Sequence, residues 1–230
     1  MRFGRVFSPG FNRLCKPKGR QAFLLAQMPG FTLLDVGCGN DSPALTKAVR
    51  PDCRYLGIDV ADYNLSARSK QLADIYRVVP AEGFADAIAE FEGSVDAVVS
   101  WHNLEHCNDP KGVLRAMCRA LRPGGALYLS FPSKASTGFP SRRGTLNFFD
   151  DPTHKQPPDV NDVLALLHAE GVEVTFLARR YRPLVPTVIG LLLEPVSALT
   201  RRLMPFGSTW AFYGFEVVIW AHRPRPPHGP

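Results

Sequence analysis

Short apolar runs alternate with helix-like segments along this chain, and the alternation restricts its fold more than any other sequence feature. The apolar periodicity predicts strands at 31–37, 54–60, 75–79, 94–100, 126–132, 172–178 and 215–221. Helices are predicted at 20–28, 42–50, 85–92, 110–121 and 160–170, the second with Ser42 as its N-cap. Strands separated by helices form parallel sheets that are covered on both faces. The sequence therefore predicts an α/β fold.

The chain has 230 residues, 45% of them hydrophobic, which suits one compact domain with its own core. We assign residues 1–222 to that domain and expect the tail at 223–230, RPRPPHGP, to be disordered. The alternation is interrupted twice. A polar loop at 133–158 has the length of lids and binding loops, and an apolar insertion follows at 184–203.

The apolar insertion begins with the run LVPTVIGLLL, which is too short to span a bilayer. Packing of this segment on the core is the interpretation that its length and interruptions favour. Three other roles stay open: a cover over the site, a dimer surface, or peripheral contact with a membrane. The oligomeric state is not indicated by the sequence.

The formal net charge of +6 suits an anionic partner, but part of the excess lies at the two ends of the chain. Aromatic residues are not interleaved with basic ones, so nucleic acid is disfavoured as a partner. The five cysteines are scattered without a C-x-x-C pair, and we predict neither a disulfide framework nor a metal site. The basic N-terminus lacks the continuous apolar core of a signal peptide, so we expect a cytoplasmic protein.

A glycine turn, DVGCGN at 35–40, follows the first predicted strand, and Asp59 closes the second. Glycines allow a ligand to approach the backbone, and a carboxylate at the end of the next strand can accept hydrogen bonds from both ribose hydroxyls. The glycine turn and Asp59 together predict an adenosine-binding pocket. Ser42 occupies the third glycine position of the dinucleotide fingerprint, which disfavours a nicotinamide-dependent oxidoreductase.

Four segments occur in a specific order: LLDVGCGN, GIDV, VDAVVSWHNLEHCNDP and RALRPGGALYLSFP. In this order the chain resembles the class I S-adenosylmethionine-dependent methyltransferases, in particular the type 11-like group, over residues 31–177. The resemblance implies a doubly wound, Rossmann-like sheet of seven mostly parallel strands with helices on both faces and the last strand antiparallel. It also implies S-adenosylmethionine as the cofactor.

Cofactor-binding roles are predicted along the carboxyl ends of the strands, the first ones from the resemblance and the last from the place where ligands of open parallel sheets bind. The glycine turn would line the methionine part, the end of the second strand the ribose, the turn after the third strand the adenine, and the end of the fourth strand the methyl-donor pocket. The residues are, in that order, Asp35, Gly37, Cys38 and Gly39; Asp59 and Val60; Glu82 and Gly83; and Ser100, Trp101 and His102. Glu82 could equally be a solvated loop residue, and Trp101 an ordinary buried aromatic.

Two histidines are candidates for a catalytic role. His106 belongs to the Leu-Glu-His element, which is largely structural in the resembled family. His154 ends the stretch NFFDDPTH in the loop at 133–158, and similar stretches occur in methyltransferases associated with bacterial cell-surface polysaccharides. The aspartates of that stretch could alternatively serve only to form a turn.

These features predict an S-adenosylmethionine-dependent methyltransferase that acts on a small-molecule or cell-surface glycan acceptor. Two alternatives use the same pocket: a non-catalytic S-adenosylmethionine-binding partner protein, and a nucleic-acid methyltransferase. A general base is needed only if the acceptor must lose its proton early in the transfer.

Overall fold

The computed structural model describes residues 15–226. The strands are β1 (Thr32–Val36), β2 (Arg54–Asp59), β3 (Ile75–Val78), β4 (Val95–Trp101), β5 (Leu121–Pro132), β6 (Glu173–Ala178) and β7 (Glu216–His222). The helices are α1 (Arg20–Leu25), α2 (Ser42–Val49), α3 (Ala67–Gln71), α4 (Phe84–Ala89), α5 (Pro110–Ala120), α6 (Val160–Ala169), α7 (Leu184–Thr200) and α8 (Ser208–Tyr213).

All seven strands form one sheet in the order β3-β2-β1-β4-β5-β7-β6. The strands β1 to β5 pair in parallel, and β7 runs antiparallel to both β5 and β6. The predicted doubly wound sheet with an antiparallel last strand is confirmed. Most strand limits agree with the predicted ones within one residue. The strand β5 begins five residues before its predicted start, because Leu121 already pairs with Val95 of β4. The register between β4 and β5 is irregular after this pair.

Apolar side chains cover both faces of the sheet. On one face Val36, Ile58 and Leu129 pack with residues of α4, α5 and α6. On the other face Tyr55 and Tyr128 pack with residues of α1, among others. Burial on both faces leaves the carboxyl edge of the parallel strands as the place for ligands.

The loop at 133–158 is folded around one carboxylate. It contains two short 3-10 turns, Lys134–Gly138 and Phe148–Asp150. Asp150 accepts hydrogen bonds from the backbone N–H groups of Arg142, Leu146 and Asn147 at 3.0, 3.0 and 2.9 Å. Phe148 is buried beneath this turn. Asp150 therefore stabilises a turn, which is one of the two interpretations given for the NFFDDPTH stretch.

The apolar insertion forms the helix α7, and a second helix that the sequence analysis missed, α8, packs against it. Gly190 of α7 lies where a Cβ atom would meet Phe212 Cβ at 2.7 Å and collide with the carbonyl oxygen of Ser208. Within residues 15–226 no helix has both the length and the apolar content needed to cross a bilayer.

The predicted disordered tail starts at a residue that is hydrogen-bonded to β5. Arg223 donates its backbone N–H to Gly125 at 2.8 Å and accepts from Gly124 at 2.7 Å. Residues 227–230 lie outside the described part of the chain.

We predict that Gly190→Ala lowers the free energy of unfolding by about 1–3 kcal/mol, because the added methyl group forces α7 and α8 apart. Gly138→Ala is the matched control, since a Cβ atom there meets nothing within 4 Å. Urea unfolding monitored by circular dichroism measures both variants. Equal midpoints for the two variants would contradict the close packing of α7 on α8.

Candidate active site

The glycine turn lies between the ends of β2 and β4. Gly37 has a φ angle of +79°, and a Cβ atom there would lie 2.6 Å from Asn103 Cβ, just after β4. Gly39 donates its N–H to Asp59 Oδ2 at 2.7 Å. A Cβ atom on Gly39 would lie 2.9 Å from the carbonyl oxygen of Tyr63. Both positions therefore require glycine, one for its backbone angle and both for the close approach of neighbouring segments.

Asp59 presents a buried carboxylate beside this turn. Burial raises its pKa, although the hydrogen bonds that it accepts from backbone N–H groups, including that of Gly39, oppose the increase. Oδ1 accepts from Val60 at 2.7 Å and from Ala61 at 3.3 Å. Oδ2 accepts only from Gly39 among the described residues, which leaves a position for one further donor. A second donor would have to replace the long contact with Ala61.

Asp35 holds the turn from inside the protein. Its Oδ2 atom accepts hydrogen bonds from Arg20 Nη2 at 2.9 Å, Ser42 Oγ at 2.6 Å and Tyr55 OH at 2.7 Å. Ser42 is the first residue of α2, and Asp41 occupies the N-cap position. The predicted N-cap role of Ser42 is wrong. The sequence analysis missed Arg20 and Tyr55 because neither lies in a motif.

Near the glycine turn, the buried atoms Arg20 Nε and Ser100 Oγ have no hydrogen-bond partner within residues 15–226. Ser100 lies beside Val36 in the register of β1 and β4, one residue before the turn. The guanidinium of Arg20 also lies 5.9 Å from the ring of Trp101. Buried polar groups normally have a partner, so these atoms fit a ligand with its own polar groups, such as the amino-acid end of S-adenosylmethionine.

His102 lies between two carboxylates at the end of β4. Its Nδ1 atom is 3.0 Å from Glu105 Oε1, and its Nε2 atom is 2.9 Å from Glu216 Oε1, at the start of β7. The ring stacks on Phe215 at 5.8 Å between centroids. Trp101 is 38% exposed, and its indole Nε1 donates to Glu216 Oε1 at 3.3 Å. The alternative of an ordinary buried aromatic therefore does not hold for Trp101.

Burial lowers the pKa of His102, but the hydrogen bonds with Glu105 and Glu216 outweigh this effect and raise the pKa to about 9. Burial raises the pKa of Glu216, and the hydrogen bond with His102 outweighs it, so that the pKa falls to about 2. At neutral pH His102 is therefore an imidazolium paired with the carboxylate of Glu216.

The two candidate catalytic histidines meet beside Glu105. The rings of His106 and His154 are 4.8 Å apart. His154 Nε2 lies 4.0 Å from Glu105 Oε1, and its Nδ1 atom lies 2.6 Å from the carbonyl oxygen of Phe148. His106 Nδ1 lies 2.9 Å from Thr153 Oγ1. The structure thus brings the Leu-Glu-His element and the NFFDDPTH stretch together.

Glu105 is fully buried, and its Oε2 atom has no partner among the described residues. Ligand atoms of Glu105, His106 and His154 lie within 4.8 Å of one another, and these residue types bind divalent metal ions. The cluster can therefore act in proton transfer or as a metal site. The sequence analysis predicted no metal because it weighed only cysteine spacing.

The remaining predicted residues lie farther along the same edge. Cys38 is buried beneath the turn, where burial raises the pKa of its thiol. Val60 follows Asp59 and is exposed. Glu82 and Gly83 belong to a short 3-10 turn between β3 and α4, and the side chain of Glu82 is exposed. A role of Glu82 at the adenine stays a prediction.

We predict that raising the pH from 6.5 to 9.5 destabilises the wild type more than His102→Gln. The folded-state pKa of about 9 exceeds the usual value of 6.5, so the stabilisation is complete below pH 6.5 and is lost as the pH rises through 9. The difference should be about 1–3 kcal/mol in the free energy of unfolding, measured by urea titration at both pH values. Parallel pH profiles for the two proteins would rule out a charged His102.

The chain resembles known methyltransferases in sequence. Residues 34–129 match the family model described as "Methyltransferase domain". A ubiquinone biosynthesis O-methyltransferase from Xanthomonas campestris pv. campestris is 36% identical over 118 residues, which are 49% of this chain and 47% of the relative. A protein of the same name from Pseudomonas paraeruginosa is 39% identical over 110 residues, 46% of each. The chain thus spans about half the length of the curated relatives that it matches.

Solved structures share the whole fold at low identity. An S-adenosylmethionine-dependent methyltransferase from Mesorhizobium loti has a TM-score of 0.58 at 18% identity, over 88% of this chain and 97% of that one. A geranyl diphosphate C-methyltransferase from Streptomyces coelicolor A3(2), in complex with Mg²⁺, geranyl diphosphate and S-adenosyl-L-homocysteine, has a TM-score of 0.59 at 16% identity, over 88% and 77%. Residues 34–129 therefore match a methyltransferase domain in sequence, and the described residues share the fold of class I S-adenosylmethionine-dependent methyltransferases.

Proposed function

We propose that this protein transfers the methyl group of S-adenosylmethionine to a hydroxyl oxygen of a small-molecule or glycan acceptor. The observation that carries the proposal is the hydrogen bond between the N–H of Gly39 and Asp59 Oδ2, at 2.7 Å. It holds the glycine turn and the acidic end of β2 together as one side of a cofactor site. The name O-methyltransferase of the sequence relatives supports oxygen as the acceptor atom.

Bound S-adenosylmethionine supplies a methyl group on a sulfonium, which is a good leaving group. In our proposal the remaining acceptor position of Asp59 Oδ2 takes a ribose hydroxyl. Arg20 Nε and Ser100 Oγ, both buried without a partner in the described part of the chain, face the amino-acid end. Positioning of this kind accounts for most of what such an enzyme must contribute, up to roughly 7–11 kcal/mol.

His154 is the candidate base for the acceptor hydroxyl. With Nδ1–H donated to the carbonyl oxygen of Phe148, the Nε2 atom carries the free lone pair. Nε2 lies 4.0 Å from Glu105, whose carboxylate would stabilise the positive charge that the transferred proton creates. Transfer would break the bond between the sulfonium sulfur and the methyl carbon, with S-adenosylhomocysteine as the leaving group, while the acceptor oxygen bonds the methyl carbon and its proton moves to His154 Nε2.

We predict that the protein binds S-adenosylmethionine with a micromolar dissociation constant in calorimetric titration, with NAD as a negative control. Asp59→Ala should weaken this binding by about 10- to 100-fold, because a hydrogen bond to a charged group contributes about 1.5–3 kcal/mol. Asp162→Asn, an exposed carboxylate on α6 paired with Lys111, is the matched control and should bind normally. If the wild type does not bind, the cofactor site proposed here is wrong.

We predict that His154→Gln lowers turnover by about 10²-fold or more without changing the affinity for S-adenosylmethionine, since it removes the base. Turnover is measured as S-adenosylhomocysteine released with a panel of catechols and sugars that carry free hydroxyls. His168→Gln, an exposed histidine in the last turn of α6, is the control and should be fully active.

Two other results would change this assignment. If EDTA abolishes turnover and a divalent metal restores it, Glu105, His106 and His154 hold a metal ion, and His154 is not a free base. If the protein binds S-adenosylmethionine and no acceptor of the panel is methylated, the non-catalytic binding protein becomes the better explanation.

A further inference from the structure

The outward face of α7 is apolar along its whole length. Its exposed large side chains recur at spacings of three and four residues, so they form one stripe. They are Leu184, Val185, Val188, Leu191, Leu192, Val196 and Leu199. Leu192 is 72% exposed and Leu199 is 87% exposed. Surface helices of water-soluble domains normally bury such a stripe, so this face is built to contact something else.

Glu194 and Ser197 of α7 face the protein instead. Glu194 pairs with Arg142 at 3.1 Å and accepts from Tyr213 OH at 2.7 Å. Ser197 is buried and donates to the carbonyl oxygen of Arg202 at 2.8 Å. Gly190 allows the close approach of α8. The orientation of α7 is therefore fixed by internal polar contacts, which hold its apolar stripe toward the outside.

Arginines without carboxylate partners flank both ends of this stripe. Before α7, Arg180 and Arg182 both donate to the carbonyl oxygen of Tyr213. After α7, Arg201 and Arg202 are exposed, and no carboxylate within residues 15–226 pairs with either of them. The backbone N–H of Arg143 donates to Arg201 at 2.8 Å, which adds a third exposed guanidinium at this end.

The arginines after α7 line a surface cleft of ≈ 700 Å³. The cleft is lined by Pro140, Ser141, Arg142, Arg143, Thr200, Arg201 and Arg202. Arg142 is neutralised by Glu194, but the other three arginines have no such partner in the described part of the chain. A cleft with this charge beside an apolar stripe matches a molecule that carries an anionic group next to hydrocarbon.

We infer that α7 is an in-plane membrane anchor, whose apolar stripe enters the surface of an anionic phospholipid bilayer while the flanking arginines contact the lipid phosphates. Interfacial helices combine a buried apolar face with basic residues at the level of the headgroups. A second copy of the chain fits less well as the occupant. Both ends of the stripe carry the same charge, so stacking two stripes in either direction brings arginines together.

The anchor is connected to the candidate active site through α8. Trp210 of α8 contacts the ring of His102 at 5.1 Å between centroids, and α8 packs directly on α7. A bilayer at α7 would therefore place the site close to molecules that are dissolved in the membrane or attached to it. Membrane binding itself does not depend on the proposed methyl transfer, so the two can fail separately.

The test is co-sedimentation of the full chain with lipid vesicles. We expect binding to vesicles of phosphatidylcholine with about one-third phosphatidylglycerol, and much weaker binding to phosphatidylcholine alone. Replacing Leu191 and Leu192 together by Asn should lower the partition coefficient by more than about 100-fold, because each leucine gains about 1.5–3 kcal/mol on burial. Replacing Arg201 and Arg202 together by Gln should lower it by about 25-fold, at about 1 kcal/mol for each arginine.

The matched control is Met28→Asn, which removes an apolar side chain that is 76% exposed near the start of β1, at the opposite edge of the sheet. It should bind vesicles like the wild type. Circular dichroism and the melting temperature establish that each variant is folded. The inference is overturned if the wild type does not bind anionic vesicles, or if Met28→Asn loses as much binding as the leucine variant. It is also overturned if the wild type sediments as a dimer that the leucine variant dissociates.

Discussion

The carboxyl edge of this sheet depends on one buried charge arrangement, in which His102 lies between Glu105 and Glu216. The three residues come from the end of β4, the turn after it and the start of β7. Their contacts join the parallel part of the sheet to its antiparallel end. An isolated charge in this place would be costly, but each member is stabilised by an opposite charge within hydrogen-bond distance. The same Glu105 carboxylate faces His154, so the arrangement also positions the loop at 133–158.

The second constraint is the glycine turn. Its backbone donates a hydrogen bond to Asp59 on one side and lies close to Asn103 on the other. Beneath it, Asp35 accepts hydrogen bonds from Arg20, Ser42 and Tyr55. Asp35 thus supports the turn through side-chain hydrogen bonds, and Asp59 keeps an acceptor position free. This difference in hydrogen bonding explains how Asp35 and Asp59, at the ends of neighbouring strands, can have different roles. One carboxylate is saturated inside the protein, and the other can still bind a ligand.

Much of the fold could be predicted from the sequence, because buried strands and their helices leave a strong periodicity. The order of glycine turn, acidic strand end and later motifs then indicated the resemblance to methyltransferases. What could not be predicted depends on contacts between distant segments. Glu216 lies 114 residues from His102, and no local pattern marks it as a partner. The helix α8 is only 6 residues long, and α3 only 5, so neither gives a clear helical periodicity. Arg20 was predicted only as the first residue of the helix at 20–28, although its guanidinium reaches Asp35.

The central claim is that the carboxyl edge between β1, β2 and β4 binds S-adenosylmethionine. A crystal structure of the protein in complex with S-adenosylhomocysteine tests it most directly. We predict a ribose hydroxyl at about 3 Å from the Asp59 carboxylate, with the amino-acid end of the ligand beside Arg20 and Ser100. A ligand bound at another place, or at this edge without contact to Asp59, would contradict the claim.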